Sequence, residues 1–544
     1  MKFPLSTLCM ILLGFSGPLS ADHIRNLQEA AVNNKSAEFG HWGWEPDQYL
    51  LWGTHSNRLI PIYTFGTKNA GKGIDLSDYK GKNSPYRDAA KIEKLYDTVP
   101  HGTQNPNANY ADQTNIADIQ LAALKAGKKH IILVVFDGMD WQTTYAAALH
   151  RNGEVAYKSG RGQGLHFQDY DASGTSQFGF MVTSPYVDDA TLDVNTQQVK
   201  AFSEKQHGGY AAEKAGATPW AKPSEPKYLV GQSAEEVFQQ AYTDSASSAT
   251  SMTAGIKTYN ASINVDAHGK QVKTVAHLAQ EQGYRVGVVT SVPISHATPA
   301  AAYAHNVHRN DYQDLTRDLL GLPSISHLEA PLPGVDLLIG AGFGVERAKD
   351  SGQGENFVPG NTYLTEQDRQ AIDARNGGNY VVSLRQEGVK GAPALQQAAE
   401  DAIASKKRLF GYYGVSGGHL PFQTADGQYD PPIGRSKKAE SYTEADQLEN
   451  PTLAEMATVS LNYLSEQDSP FWLMVEAGDV DWANHDNNID NSIGAVYSGE
   501  AAVKAITDWV EQNSSWDQTV LIVTADHGHF LVLERPELLT SGNE

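Results

Sequence analysis

Short apolar runs without a polar interruption recur along the chain, each preceded by an amphipathic stretch. Residues 131–136 read Ile-Ile-Leu-Val-Val-Phe, the unbroken pattern a strand needs when both of its faces are covered. A helix is predicted just before it, over 117–127. The unit then repeats. A helix over 274–282 leads into an apolar strand at 285–290. A helix opened by Asn450 and Pro451, with Leu453, Met456, Ser460 and Leu464 at three-to-four-residue steps, leads into 471–475. Residues 500–512 do the same for 520–523. This alternation predicts an α/β fold with a central, mostly parallel sheet and helices on both faces. Two long Gly- and polar-rich insertions, about 151–230 and 345–450, interrupt the pattern. Residues 22–127 are weakly periodic and rich in Gly, Asn, Trp and Tyr, and are expected to form an N-terminal extension packed on the main domain of 128–544.

The first residues follow a different rule. A charged start at Lys2, an apolar stretch from Leu8 to Phe15 and the small residues before Asp22 have the layout of a secretory signal peptide over 1–21, cleaved near Ala21. The stretch is too short to span a bilayer, and no other long apolar run follows, so no membrane anchor is expected. The expected location is secreted or periplasmic. The only cysteine, Cys9, falls inside this leader, which excludes disulfides, thiolate metal sites and cysteine nucleophiles from the exported chain. Hydrophobic residues make up 40% and charged residues 19% of the 544, a globular composition rather than a disordered one. The formal charge of −22 disfavours binding to nucleic acid. An anionic substrate would need a concentrated local positive charge.

In such a sheet, ligands gather beyond the carboxyl ends of the strands. The residues that follow the apolar runs are Asp137; Ser291 with the tract His296-Ala297-Thr298-Pro299; Glu476; and Asp526 with His527. A single strand-end carboxylate is ordinarily a helix cap or a turn former. Four strand ends sending carboxylates, hydroxyls and imidazoles to one edge are not explained by capping. Asp481 and His485 are four residues apart, so on a helix they share a face and can hold one cation. His529, two residues after His527, adds a ligand of the same type. Carboxylate with imidazole and no thiolate suits zinc, whereas carboxylate with hydroxyl suits magnesium. A nucleophile is also available. Asp244 is predicted to cap a helix of small residues that ends near Gly255, leaving Ser245 in the first turn, where free N–H groups and the helix dipole favour an anion.

The tracts Thr243-Asp244-Ser245-Ala246, Gly255 to Asn260, His296 to Ala301 with Arg309 beyond, Glu476 to His485 and Thr524 to His529 occur in one order together with Asp137. As a set they resemble the alkaline phosphatase family, over about 130 to 530 apart from the insertions. The resemblance implies an alkaline-phosphatase-like fold and a phosphate-monoester hydrolase with two Zn2+ and one Mg2+ per chain. Ser245 is implied as the nucleophile that becomes a phosphoserine. Asp137, Asp526 and His527 are implied to bind the zinc that activates Ser245, with Asp137 also reaching toward magnesium. Thr298 and Glu476 complete the protein's magnesium ligands, and Asp481 and His485 bind the other zinc. Arg309 is implied to hold phosphate oxygens in a two-pronged contact, with Asp244 beside Ser245 in the substrate-binding set. Small-molecule phosphate monoesters are the expected partners, and a homodimer is compatible with the family.

The chain departs from the family in three places. Asp137 is flanked by Phe136 and Gly138 rather than by more glycine. His296 and Trp482 stand near the magnesium and zinc tracts, a pairing associated in some branches with altered magnesium dependence. The second zinc usually takes a further histidine from a segment well after the Asp-His tract, but no histidine follows His529 before Glu544. That ligand comes from elsewhere in the chain, with His529 and His419 as candidates, or lies beyond this sequence. Phosphodiesterases and pyrophosphatases of the same metallohydrolase superfamily share the sheet and zinc ligands but place threonine at the nucleophile. A catalytically impaired phosphate- or metal-binding protein is the other alternative.

Overall fold

The computed structural model describes residues 23–202, 207–230 and 241–540, so the expected leader at 1–21 lies outside the described residues. Ten strands build one sheet. In chain order they are β1 (Ile60–Phe65), β2 (Ala111–Asp112), β3 (His130–Phe136), β4 (Gln177–Val182), β5 (Arg285–Pro293), β6 (Leu337–Ala341), β7 (Tyr380–Leu384), β8 (Arg408–Tyr412), β9 (Phe471–Ala477) and β10 (Thr519–Thr524). Across the sheet they run β7-β8-β6-β5-β9-β3-β10-β1-β4-β2. From β7 through β10 every pairing is parallel. β1 is antiparallel to both β10 and β4, and the short β2 is parallel to β4. The expected α/β sheet is therefore present and mostly parallel.

The central strands carry the unbroken apolar runs because both faces are covered. Every residue of β3, β9 and β10 is buried. Trp472 of β9 is fully buried and donates its indole N–H to Gln120 Oε1 at 2.9 Å, which satisfies the one polar atom of a large side chain in the core. Gln120 belongs to the helix Asn115–Lys125, two residues ahead of the predicted start. The helix Leu453–Leu464 is capped by Thr452, whose hydroxyl accepts from Glu455 N while Glu455 Oε2 accepts from Thr452 N. Pro451 thus lies before the cap and not in the first turn.

Two expectations change. The helix predicted over 500–512 is a 25-residue helix, Ile489–Asn513. Its first half mixes Asp490, Asn491 and Ser492 and two glycines among its apolar positions, which conceals the periodicity, and Gly494 passes so close to the carbonyl of Gln423 that a Cβ would stand 2.1 Å from it. The stretches read as insertions, and the stretch read as an extension, also supply strands to the sheet itself. Residues 345–450 contribute β7 and β8, joined by the helix Gly391–Ser405, as a parallel unit at one edge. Residues 151–230 contribute β4, and 22–127 contribute β1 and β2. Short strands with polar flanks give too weak a period to stand out.

Helix Ile489–Asn513 meets the sheet through Gly499, where a Cβ would lie 2.3 Å from the Phe136 ring and 2.8 Å from Ala477 Cβ. Replacing Gly499 by valine should destabilise the protein by about 1–3 kcal/mol through overpacking, read as a lower thermal midpoint. An unchanged midpoint would show that this close approach is not required.

Candidate active site

Four adjacent parallel strands, β5-β9-β3-β10, deliver the candidate residues to one edge. Phe136 is in register with Ala477, and Thr290 with Glu476. Asp137, Glu476 and Asp526 therefore arrive side by side, all fully buried. Asp526 is fixed by the N–H groups of Gly138 at 3.0 Å and His527 at 2.8 Å, and by the Ser248 hydroxyl at 3.2 Å. The helix Ser245–Ala254 points its N-terminus at this edge. Asp244 caps it, accepting from Ser247 N at 2.9 Å, and Ser245 opens the first turn as the sequence predicts.

Ser245 Oγ lies 3.2 Å from His527 Nε2 and 3.4 Å from Asp137 Oδ1. His527 Nε2 is also 3.3 Å from Asp137 Oδ1 and 3.5 Å from Asp526 Oδ2. Asp137, Asp526 and His527 thus form one compact donor group next to the hydroxyl. A second group adjoins it. The helix Asp479–His485 brings Asp481 Oδ1 within 3.4 Å of His485 Nε2, and His529 Nε2 sits 2.7 Å from the same oxygen. A third set has harder donors. Asp137 Oδ2, Thr298 Oγ1 and Glu476 Oε1 are buried and make no hydrogen bond, although Thr298 lies close enough to Glu476 to lower its pKa.

The second group contains a residue that the strand-end rule does not find. His55 places its Nε2 3.1 Å from His485 Nε2 and 3.9 Å from Asp481 Oδ1. His55 precedes β1, and because β1 runs antiparallel to β10, its amino end lies at the edge where the parallel strands end. Ser56 N donates to Gly528 O at 2.7 Å, which locks His55 beside the Asp526–His529 tract. The useful signal would have been a histidine just before an antiparallel strand. The ring tautomers are informative. His55 Nδ1 is 3.0 Å from Thr243 O and His485 Nδ1 is 2.6 Å from Gly53 O, and a carbonyl can only accept. Both Nδ1 atoms are then the protonated ones, and two bare Nε2 lone pairs face each other at 3.1 Å. A cation held between them would resolve that repulsion.

The electrostatics agree. Burial pushes Asp137 well above the ordinary carboxylate range, reinforced by Asp481, Asp526 and Glu476. Burial pushes Glu476 up to about 8, with the hydroxyls of Thr290 and Thr298 only partly offsetting it. Burial also raises Asp526. Burial keeps His55 and His527 neutral, as metal ligands must be. Imidazole nitrogens with carboxylates fit zinc, and the unbonded oxygens of Asp137, Thr298 and Glu476 fit magnesium.

A cavity of about 390 Å³ opens onto Ser245 and is lined by His55, His296, Arg309, Asp481, Trp482 and His485. Arg309 Nη1 donates to Asp244 Oδ2 at 3.0 Å, and the Asp244 carboxylate raises the guanidinium pKa despite the opposing effect of burial. His296 stands against Trp482 with ring centroids 5.9 Å apart. His419 is not brought to the cluster. Its Nδ1 faces Leu420 O at 2.6 Å, its Nε2 pairs with Glu440 Oε2 at 3.1 Å, and its ring stacks on Phe422. Both nitrogens are committed to these partners, so the expectation of His419 as a metal ligand is corrected.

The alkaline phosphatase family model matches residues 213–538. The chain belongs to the alkaline phosphatase family. Alkaline phosphatase 4 of Bacillus subtilis (strain 168) is 29% identical over 288 residues, 52% of this chain and 49% of the relative. The alkaline phosphatase of Escherichia coli (strain K12) is 27% identical over 315 residues, 55% of this chain and 61% of its own. The chain thus spans about half the length of the curated alkaline phosphatases it matches first. A solved alkaline phosphatase structure from Thermus thermophilus is similar over 74% of this chain and 60% of that one, with 20% identity and a TM-score of 0.43. Among the described residues no helix is long and apolar enough to cross a membrane.

Removing divalent metal should leave buried carboxylates and facing lone pairs uncompensated. A chelator should lower the thermal midpoint, and zinc with magnesium at 100-fold excess over Kd should restore about 2.7 kcal/mol per site. A midpoint indifferent to chelator would contradict metal binding at this edge.

Proposed function

We propose that this protein is an exported phosphate-monoester hydrolase that works through a phosphoserine intermediate. The observation that carries the reading is the placement of Ser245 Oγ, in the first turn of a capped helix, against His527 and Asp137 and within the cavity that Arg309 lines. The proposed zinc ligands are Asp137, Asp526 and His527 at one position and Asp481, His485 and His55 at the other; Asp137, Thr298 and Glu476 are the proposed magnesium ligands. His55 takes the role of the family's later histidine. His529, close to Asp481, orients that carboxylate. Two Zn2+ and one Mg2+, bound there, would lower the pKa of the Ser245 hydroxyl and of the later water and offset charge on the departing oxygen.

Arg309, held in position by Asp244, receives two oxygens of the phosphate dianion. Ser245 Oγ, its proton released to solvent, attacks phosphorus on the side opposite the ester oxygen; the Oγ–P bond forms as the P–O ester bond breaks, and the alcohol leaves with a proton taken back from solvent. The free N–H groups at the start of helix Ser245–Ala254 face the phosphoryl oxygens. Water then attacks the phosphoserine from the vacated side, restoring the Ser245 hydroxyl and releasing inorganic phosphate. A serine at the nucleophile position favours the monoesterase over the related phosphodiesterases, which place threonine there.

The purified mature protein should hydrolyse an aryl phosphate monoester above neutral pH, lose this activity with chelator and regain it with zinc plus magnesium. Ser245→Ala should reduce turnover by several orders of magnitude while retaining its metals; full activity in that variant would refute the nucleophile. An inert wild type with bound metals would favour a binding protein instead. His55→Ala should lose one equivalent of zinc per chain by elemental analysis, and an unaltered zinc count would remove His55 from the ligand set. Arg309→Ala should chiefly weaken inhibition by inorganic phosphate, so an unchanged inhibition constant would contradict its role.

A further inference from the structure

A second group of imidazole and carboxylate ligands shares no residue with the strand-end cluster. His305 follows the helix Ala297–Ala301, Asp318 lies in the helix Tyr312–Leu320, and His327 lies in the loop beyond. One donor atom from each falls within 4.8 Å of the others. His305 Nδ1 is 3.0 Å from His327 Nε2, and His327 Nε2 is 3.8 Å from Asp318 Oδ2. These spacings bracket the separation of about 3.3 Å between ligands of a tetrahedral ion with bonds near 2.0–2.1 Å.

The proton inventory points the same way. His305 Nε2 lies 3.0 Å from Val272 O, which can only accept, so the proton is on Nε2 and Nδ1 is bare. Burial holds the ring neutral, with its pKa down at about 4. His277 stacks on the His305 ring at 5.1 Å and 9° and is itself neutral, which fixes the plane of the imidazole. The Asp318 carboxylate is buried and meets only neutral donors, His305 N at 2.9 Å and the Ser324 hydroxyl at 2.5 Å. No Lys or Arg pairs with Asp318 among the described residues, and His327 is the one partly exposed member.

We infer that His305, Asp318 and His327 form a further metal site, for Zn2+ or another first-row divalent ion, beside the segment that carries Arg309. Two neutral imidazoles and one carboxylate, with a fourth position reached from solvent along His327, are a ligand set for such an ion. Its occupant would tie the chain before Arg309 to the helix and loop after it, and so anchor the phosphate-binding segment.

The test is a zinc count on full-length protein, stripped with chelator, reloaded with excess Zn2+ and freed of loose metal. His327→Ala, at a partly exposed position, should fold and carry one zinc fewer per chain than wild type. The His55→Ala, His327→Ala double variant should carry one fewer than His55→Ala alone, which separates this site from the catalytic one. His327→Ala should also lose a zinc-dependent rise in thermal midpoint that wild type and His55→Ala both show. Equal zinc counts with and without His327, in either background, would overturn the site and leave a hydrogen bond between two imidazoles.

Discussion

Four carboxylates, those of Asp137, Glu476, Asp481 and Asp526, are buried at one edge of the sheet, with no lysine or arginine in ion-pair contact among the described residues. Two like charges about 4 Å apart repel by about 4 kcal/mol at an effective dielectric of 20. The arrangement is therefore costly unless protons or cations neutralise it. Protonation is the response of the metal-free site, and it is the direction in which Asp137, Glu476 and Asp526 move. Neutral imidazoles point bare nitrogens into the same space, a choice that suits cations and not protons. The in-register arrangement of β5, β9, β3 and β10 exists to hold these groups together, and the close packing beneath it, at Gly499 and Trp472, keeps that register fixed.

A locally positive centre also answers the difficulty posed by a chain of net charge −22. The surface as a whole repels a phosphate dianion, and long-range attraction is not available. The divalent ions proposed for this edge would outweigh that repulsion over the last few ångströms. Asp244 serves two purposes here. One oxygen caps the nucleophile helix through Ser247, and the other holds the Arg309 guanidinium. The proposed nucleophile and the proposed anion-binding arginine are thus aligned by a single carboxylate, which would spare ordering cost on substrate binding.

Much of this was legible in the sequence because parallel strands buried on both faces leave an apolar run and end in a turn. Asp137 and Glu476 directly follow such runs and Asp526 comes three residues after one, while Asp481 with His485 is indicated by helical spacing. Asp244 and Ser245 follow from capping preference. What escaped detection has physical causes. β7 is a partly exposed edge strand, and β8 beside it, though mostly buried, is only five residues long and opens on Arg408, so neither gives a clear apolar run. The first half of helix Ile489–Asn513 buries Ile489, Ile493 and Val496 but also buries Asp490, Asn491, Ser492, Gly494 and Gly499 around them, so the apolar stripe does not stand out against a polar face. His419 is a candidate only because no histidine follows His529, and its nitrogens are held by Leu420 and Glu440.

His55 escaped for a reason that concerns topology rather than composition. A rule that looks beyond strand ends assumes that all strands point the same way. One reversed strand beside β10 brings its beginning, not its end, to the active edge. The family's further zinc histidine comes after the Asp-His tract, while the proposed ligand here comes before every other one. The two arrangements are compatible because a sheet position does not record which end of the chain fills it. β1 pairs with β10 along four residues, and Gly40–Trp42 pairs with Leu531–Leu533 next to it, so the beginning and the close of the described chain lie side by side. With these neighbours fixed by hydrogen bonding, the segment that completes the site can be supplied from the front of the chain, and His55 meets Asp481 and His485 at the same edge. Ligand order along a sequence is thus a weaker constraint on this chemistry than strand order across the sheet.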